Sequence, residues 1–129
     1  MDLQQSLDRL RSDISGARLT AFGDLGAGLI FRTSHDAQGK TKREHLDRLC
    51  ETASESYRLV KCIEDLGLLS DKEAVQSVIA FSPCESTLFA RSTQEPDEVI
   101  CTVTDAGHSL DLALQKTTAC AAEVSQVAE

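Results

Sequence analysis

No apolar run in this sequence exceeds a few residues, far short of the ~20 that a membrane-spanning helix requires. The N-terminal "MDLQQSLDRLRSD" has neither a basic start nor an apolar stretch, which argues against a signal peptide and for a cytoplasmic protein. Tryptophan is absent, and tyrosine occurs once and proline twice. There is no surplus of positive charge: the formal net charge is −8, which argues against nucleic acid as the main partner because phosphate neutralisation needs a basic surface. There is no Cys-x-x-Cys, and His35, His45 and His108 fall in unrelated segments, so no zinc site is expected. Cys50 and Cys62 stand roughly three turns apart on one helix and cannot share an ion. No Gly-x-Ser-x-Gly elbow occurs and no Cys-His pairing follows from spacing, so the expectation is a protein that is not an enzyme and holds no cofactor.

What remains is the composition of one ordinary globular domain spanning residues 1–129, with 41% hydrophobic and 26% charged residues. An odd set of five cysteines suits reduced thiols better than a disulfide framework. Cys101 and Cys120 read as small core residues, whereas Cys84, in "SPCES", belongs to an exposed turn where a redox role would need a basic neighbour that is missing.

Along the chain, Leu3, Leu7, Leu10 and Ile14 share one helical face, and Ser15-Gly16 suits that helix's end. "ARLTAF" sets Leu19 and Ala21 against Arg18 and Thr20, and with "GLIFRTS" it reads as a β-hairpin. Between them, Gly23, Gly26 and Gly28 open onto a strand rather than a helix N-terminus, and no Gly-Lys-Ser/Thr follows. They therefore turn the chain instead of cradling a phosphate, with Asp24 and Gly26 suited to positive φ.

Thr41 to Glu44 forms a Ser/Thr-x-x-Glu capping pattern that should open a helix of about seven turns. Its apolar stripe is Leu46, Leu49, Cys50, Ala53, Tyr57, Val60, Ile63 and Leu66, with Gly67 as its stop. Leu59 and Cys62 lie off that face and want separate cover. "AVQSVIAFS", "STLFARS" and "EVICTVT" read as three strands, with Pro83 and Pro96 between them. Ser109 or Asp111 then caps a last helix whose buried stripe is Leu110, Leu114, Thr117, Ala121 and Val124. Lys40, Lys42, Arg43, His45 and Arg48 gather where the helix dipole disfavours cations, so a docking patch on Lys42, Arg43 and Arg48 for an acidic partner stands beside a merely solvated helix end.

The order α-β-β-α-β-β-β-α resembles the roadblock/dynein light-chain superfamily over nearly the whole chain. At the residue level the resemblance is carried by "ARLTAFGDLGAGLIFRTS" and by "VICTVTDAGHSLDLALQKTTACAAEV". In the second, the family's Asn-Leu-Gly-like step reads Ser109-Leu110-Asp111, so only the leucine matches. The resemblance implies an α+β fold, a five-stranded antiparallel sheet with the long helix on one face and the terminal helices on the other. It also implies a homodimer joined helix to helix and edge to edge, and a regulator or scaffold of a small Ras-like GTPase. An interface on that pattern would use Leu49, Ala53, Tyr57 and Val60 of the long helix with Val75, Ile79 and Phe81 of the strand. Two other readings stand: a profilin-like sensor whose pocket would draw on Tyr57, Arg32 and Arg91, and a purely structural subunit.

Overall fold

A computed structural model describes residues 2–35, 43–68, 77–92, 95, 97–105, 107 and 109–127. Helix α1, Leu3–Asp13, starts at a reciprocal cap between Asp2 and Gln5. The Asp2 carboxylate accepts from the Gln5 backbone N–H at 2.8 Å, and the Asp2 N–H donates to Gln5 Oε1 at 3.2 Å. Leu7, Leu10 and Ile14 are buried as the periodicity requires, and Gly16 leaves the helix at φ 83°. Asp2→Ala is expected to lower unfolding free energy by about 1 kcal/mol in thermal denaturation, since it strips the Gln5 backbone N–H of its partner.

The hairpin pairs β1, Ala17–Asp24, with β2, Leu29–His35. Its register slips by one residue between Phe22 and Gly23, leaving Phe31 as an extra residue on β2. Gly23 is required there: a Cβ would lie 3.0 Å from the Leu29 carbonyl oxygen. Positive φ falls on Gly28, at 67°, and not on Asp24 or Gly26. Asp24 serves the turn through its side chain, which accepts from the Ala27 N–H at 3.0 Å, so the left-handed step comes at the end of the loop.

Helix α2, Arg43–Asp65, follows; β3, Ser77–Phe81, β4, Glu85–Arg91, and β5, Glu98–Asp105, complete the sheet, and α3, Leu110–Val127, closes the chain. The strand order is β2-β1-β5-β4-β3, with every neighbouring pair antiparallel. One core lies under α1 and α3, around Leu7, Leu10, Phe22, Leu88, Ile100 and Val124. The other lies under α2, around Ala53, Tyr57, Val60, Phe89, Val99 and Cys101. Because helices cover both faces, the polar positions of the middle strands are buried too. Thr20, expected opposite the apolar face of β1, is buried and donates to the Leu7 carbonyl at 2.8 Å. Ala113, outside the stripe read for α3, is also buried, whereas Leu110 and Leu114 are half-buried.

The proposed cap at Thr41 and the start of "AVQSVIAFS", including Val75, lie outside the described residues. Gly67 stops α2 as expected, at φ 72°, with the Leu68 N–H reaching back to the Ile63 carbonyl at 3.3 Å. Ile63 and Leu66, however, are exposed rather than members of the buried stripe. The reason is length. A helix of 23 residues spans about 34 Å, whereas strands of eight reach about 27 Å, so the last turn of α2 overruns the sheet.

Candidate functional site

The helix that carries most of the expected interface spends its strongest apolar stripe on its own sheet. Leu49, Ala53, Tyr57 and Val60 are all buried within the protomer. Leu49 packs with Leu19 of β1 and Val103 of β5, while Ala53, Tyr57 and Val60 share a cluster with Phe89 and Val99. The Arg91 guanidinium lies 4.0 Å from the Tyr57 ring centre, and burial pushes the Tyr57 hydroxyl pKa up despite that nearby cation. A copy docking on α2 would therefore meet the other side of the helix.

That other side bears a second apolar series. Leu59 is 65% exposed, Ile63 40% and Leu66 73%, with Cys62 exposed among them. The sequence carried a trace of this, because Leu59 and Cys62 fall off the main stripe; what it could not show is that Ile63 and Leu66 join them past the sheet's end. At the same helical spacing toward the N-terminus the series continues as Thr52, Arg48 and His45.

Beside this flank runs β3, an edge strand of the sheet. Ile79 points toward the α1/α3 core, Phe81 two residues on shares its face but stays 69% exposed, and Val78 and Ala80 pack toward α2. A groove of about 300 Å³ separates the first half of α2 from the end of this strand, with His45, Arg48, Leu49, Thr52, Ala80 and Thr87 among its walls. The opposite edge differs. On β2, Gln4 Nε2 of α1 donates to the Thr33 carbonyl at 3.0 Å, and Arg11 Nε donates to Ser34 Oγ at 2.9 Å. Among the described residues, no side chain of another element bonds to β3 in this way.

Of the basic residues named for docking, Arg48 is exposed at the groove mouth and Arg43 is the first residue of α2, its side chain outside what is described; Lys42 lies outside the described residues. The three residues named for a ligand pocket do not converge. Arg32 pairs with Phe22, whose side chain enters the α1/α3 core, whereas Tyr57 and Arg91 meet on the α2 face.

The thiols divide as expected: Cys101 and Cys120 are buried, together with Cys50, whereas Cys84 is exposed in the β3–β4 turn. Burial raises the pKa of Cys50 and Cys101 and pushes that of Cys120 up to about 11, which suits inert packing groups. Among the described residues no three His, Cys, Asp or Glu side chains are grouped to hold a metal, and no helix is long and apolar enough to cross a membrane.

A five-stranded antiparallel sheet in the order β2-β1-β5-β4-β3, with α2 on one face and α1 and α3 on the other, is the fold of the roadblock/LC7 domain. A Roadblock/LC7 domain from Streptomyces avermitilis superposes with a TM-score of 0.77 at 12% identity, covering 99% of this chain and 98% of that one. The gliding protein MglB from Thermus thermophilus gives 0.74 at 13% identity over 96% of this chain and 86% of its own. MglB from Myxococcus xanthus gives 0.66 at 16%, over 96% and 92%. No family model and no curated protein matches the sequence.

Proposed function

We propose that the protein is a cytoplasmic, non-enzymatic homodimer that regulates or scaffolds a small Ras-like GTPase. The observation that carries the reading is the pairing of an edge strand to which, among the described residues, no side chain of another element bonds with an exposed apolar flank on the adjacent helix, in a roadblock fold whose other edge strand takes a hydrogen bond from Gln4 of α1. A second copy adding its own β3 antiparallel would pair the free backbone groups and bring the two apolar flanks under cover together. The GTPase rests on resemblance and on structural likeness to MglB proteins. The chain would contribute surface and position, so any acceleration of hydrolysis would come from ordering the GTPase's own groups.

Lys42, Arg43 and Arg48 are the proposed docking residues. Arg48 also lines the groove, so the test uses the other two. Purified protein is presented to the Ras-like GTPases of the same organism in GDP- and GTP-loaded forms. One of them should bind in a nucleotide-dependent way, and Lys42→Glu with Arg43→Glu should weaken that binding about tenfold or more while leaving the dimer mass unchanged by light scattering. If the dimer binds no Ras-like protein in either state, the regulator reading fails and the structural-subunit reading takes its place.

A further inference from the structure

Two exposed apolar side chains lie far from α2. Leu29 is 47% exposed and Phe31 52%, and both belong to β2, the edge strand opposite β3. They share one face. Leu29 lies opposite Asp24 in the ladder and on the other face of the sheet from Ile30, which packs under α2, while the Phe31 ring stands 6.1 Å from that of Phe22 in the α1/α3 core. They are bare because α1 stops short. Leu7 of α1 lies over Thr20; from there the helix has four residues left, about 6 Å, whereas β1 has four more to Asp24, about 14 Å. The corner formed by Leu29, Phe31 and Asp24 lies beyond the first turn of α1.

Carboxylates border this corner on one side. Asp24 faces Glu98 of β5 across the ladder, and the Leu25 N–H donates to the Asp97 carbonyl at 2.7 Å, which brings the two loops together. Burial raises the Glu98 pKa, and Glu95 and Asp24 raise it further. Among the described residues, Asp24, Glu95, Asp97 and Glu98 make no ion pair, and Glu98 Oε2 is buried without a hydrogen-bond partner. Helix α3 adds to the negative field. From Thr117, which meets Thr102, it runs ten residues on to Val127, about 15 Å, and so ends level with Glu98, four strand residues or about 14 Å away. The negative end of its dipole therefore stands beside these carboxylates. Arg32, exposed, lies on the far side of Phe31.

From this we infer that the β1–β2 corner docks a cationic amphipathic helix of a partner protein, with apolar side chains of that helix on Leu29 and Phe31 and its Lys or Arg reaching Asp24, Asp97 and Glu98. The uncompensated carboxylates select the sign of the partner. The edge itself selects a helix over an added strand. A strand laid beside β2 needs an even ladder, but the bulge at Phe31 breaks the run and Gln4 already holds the Thr33 carbonyl. A helix has its backbone groups paired internally and spends its apolar stripe on the two exposed side chains. An arginine of the partner can also stack on the Phe31 ring. This corner is on the opposite edge and the opposite face of the sheet from β3 and α2, so the inference needs neither the dimer nor the GTPase, and a dimer would present the site twice.

Fluorescence anisotropy at physiological salt tests it, with a labelled Leu/Lys peptide whose leucines fall at helical spacing and a shuffled peptide of the same composition. The ordered peptide should bind about tenfold tighter than the shuffled one, because only it gathers its apolar side chains on one face. Glu95→Lys with Asp97→Lys should weaken that binding about tenfold or more, and Arg32→Glu should strengthen it. Phe31→Ser should cost about tenfold by removing the apolar anchor. These side chains are exposed, and thermal unfolding of each variant checks that it folds. Glu51→Lys with Glu55→Lys makes the same change of net charge on the acidic groove between α2 and the β1–β2 turn, and should leave binding unaltered. Weakening by that control as large as by Glu95→Lys with Asp97→Lys overturns the site, as does no binding of the ordered peptide. Equal binding of the two peptides, or strand rather than helix signal from the bound peptide in circular dichroism, overturns the helical partner.

Discussion

Tyr57→Ala is expected to lower the unfolding free energy of the protomer itself by about 3–5 kcal/mol, as large aromatic truncations in packed cores do. Tyr57 is 3% exposed, sits between α2 and the sheet beside Ala53, Val60, Phe89 and Val99, and carries Arg91 across its ring. Its removal opens a cavity between two rigid layers and strands the guanidinium that leaned on it. The measurement is urea denaturation in a background of Leu59→Glu and Ile63→Glu, which discourages any contact between copies through the outer flank of α2. A loss that persists there belongs to the fold. A loss below about 1 kcal/mol in that background, with a large one in the parent protein, would return Tyr57 to an interface between copies.

The second large effect concerns hydroxyls in the other core. Thr102 of β5 and Thr117 of α3 are fully buried with their Oγ1 atoms 2.8 Å apart, and Thr117 Oγ1 lies 2.7 Å from the Ala113 carbonyl. That carbonyl can only accept, so Thr117 donates to it and Thr102 donates to Thr117. The direction makes the two substitutions unequal. Thr117→Val leaves the Thr102 hydrogen buried without an acceptor, at a cost of about 1–3 kcal/mol, whereas Thr102→Val leaves the Thr117 hydrogen bonded and should cost less. In the double variant both hydroxyls are gone, so its loss should fall short of the two single losses added together. Equal single effects that add would show that the proton order is not the one deduced.

How much of this was legible beforehand varies from element to element for physical reasons. The long helix and its Gly67 stop were readable, because a 3.6-residue period over many turns and a left-handed cap are strong local signals. The sides of that helix were not. A stripe such as Leu49, Ala53, Tyr57 and Val60 looks the same whether it meets its own sheet or another molecule, and only the assembled fold shows that the sheet claims it. The two-sided burial of β1 was likewise hidden at Thr20, a polar residue whose satisfied hydroxyl depends on a carbonyl of α1. In the glycine cluster the turn was legible, but the residue at positive φ was not, because the bulge at Phe22 and Gly23 shifts the loop. Lys42, Thr41 and Val75 lie outside the described residues.

The two sheet edges are unequally open to the addition of another strand. A sheet with two bare edges can add neighbours on both sides and grow without limit, as fibrils do. Here Gln4 of α1 occupies a carbonyl on β2, whereas among the described residues no side chain of another element bonds to β3, so strand addition is the easier at the β3 edge. Any assembly beyond two would have to be built on helix surfaces, and unlike strand addition it would depend on the particular side chains displayed there.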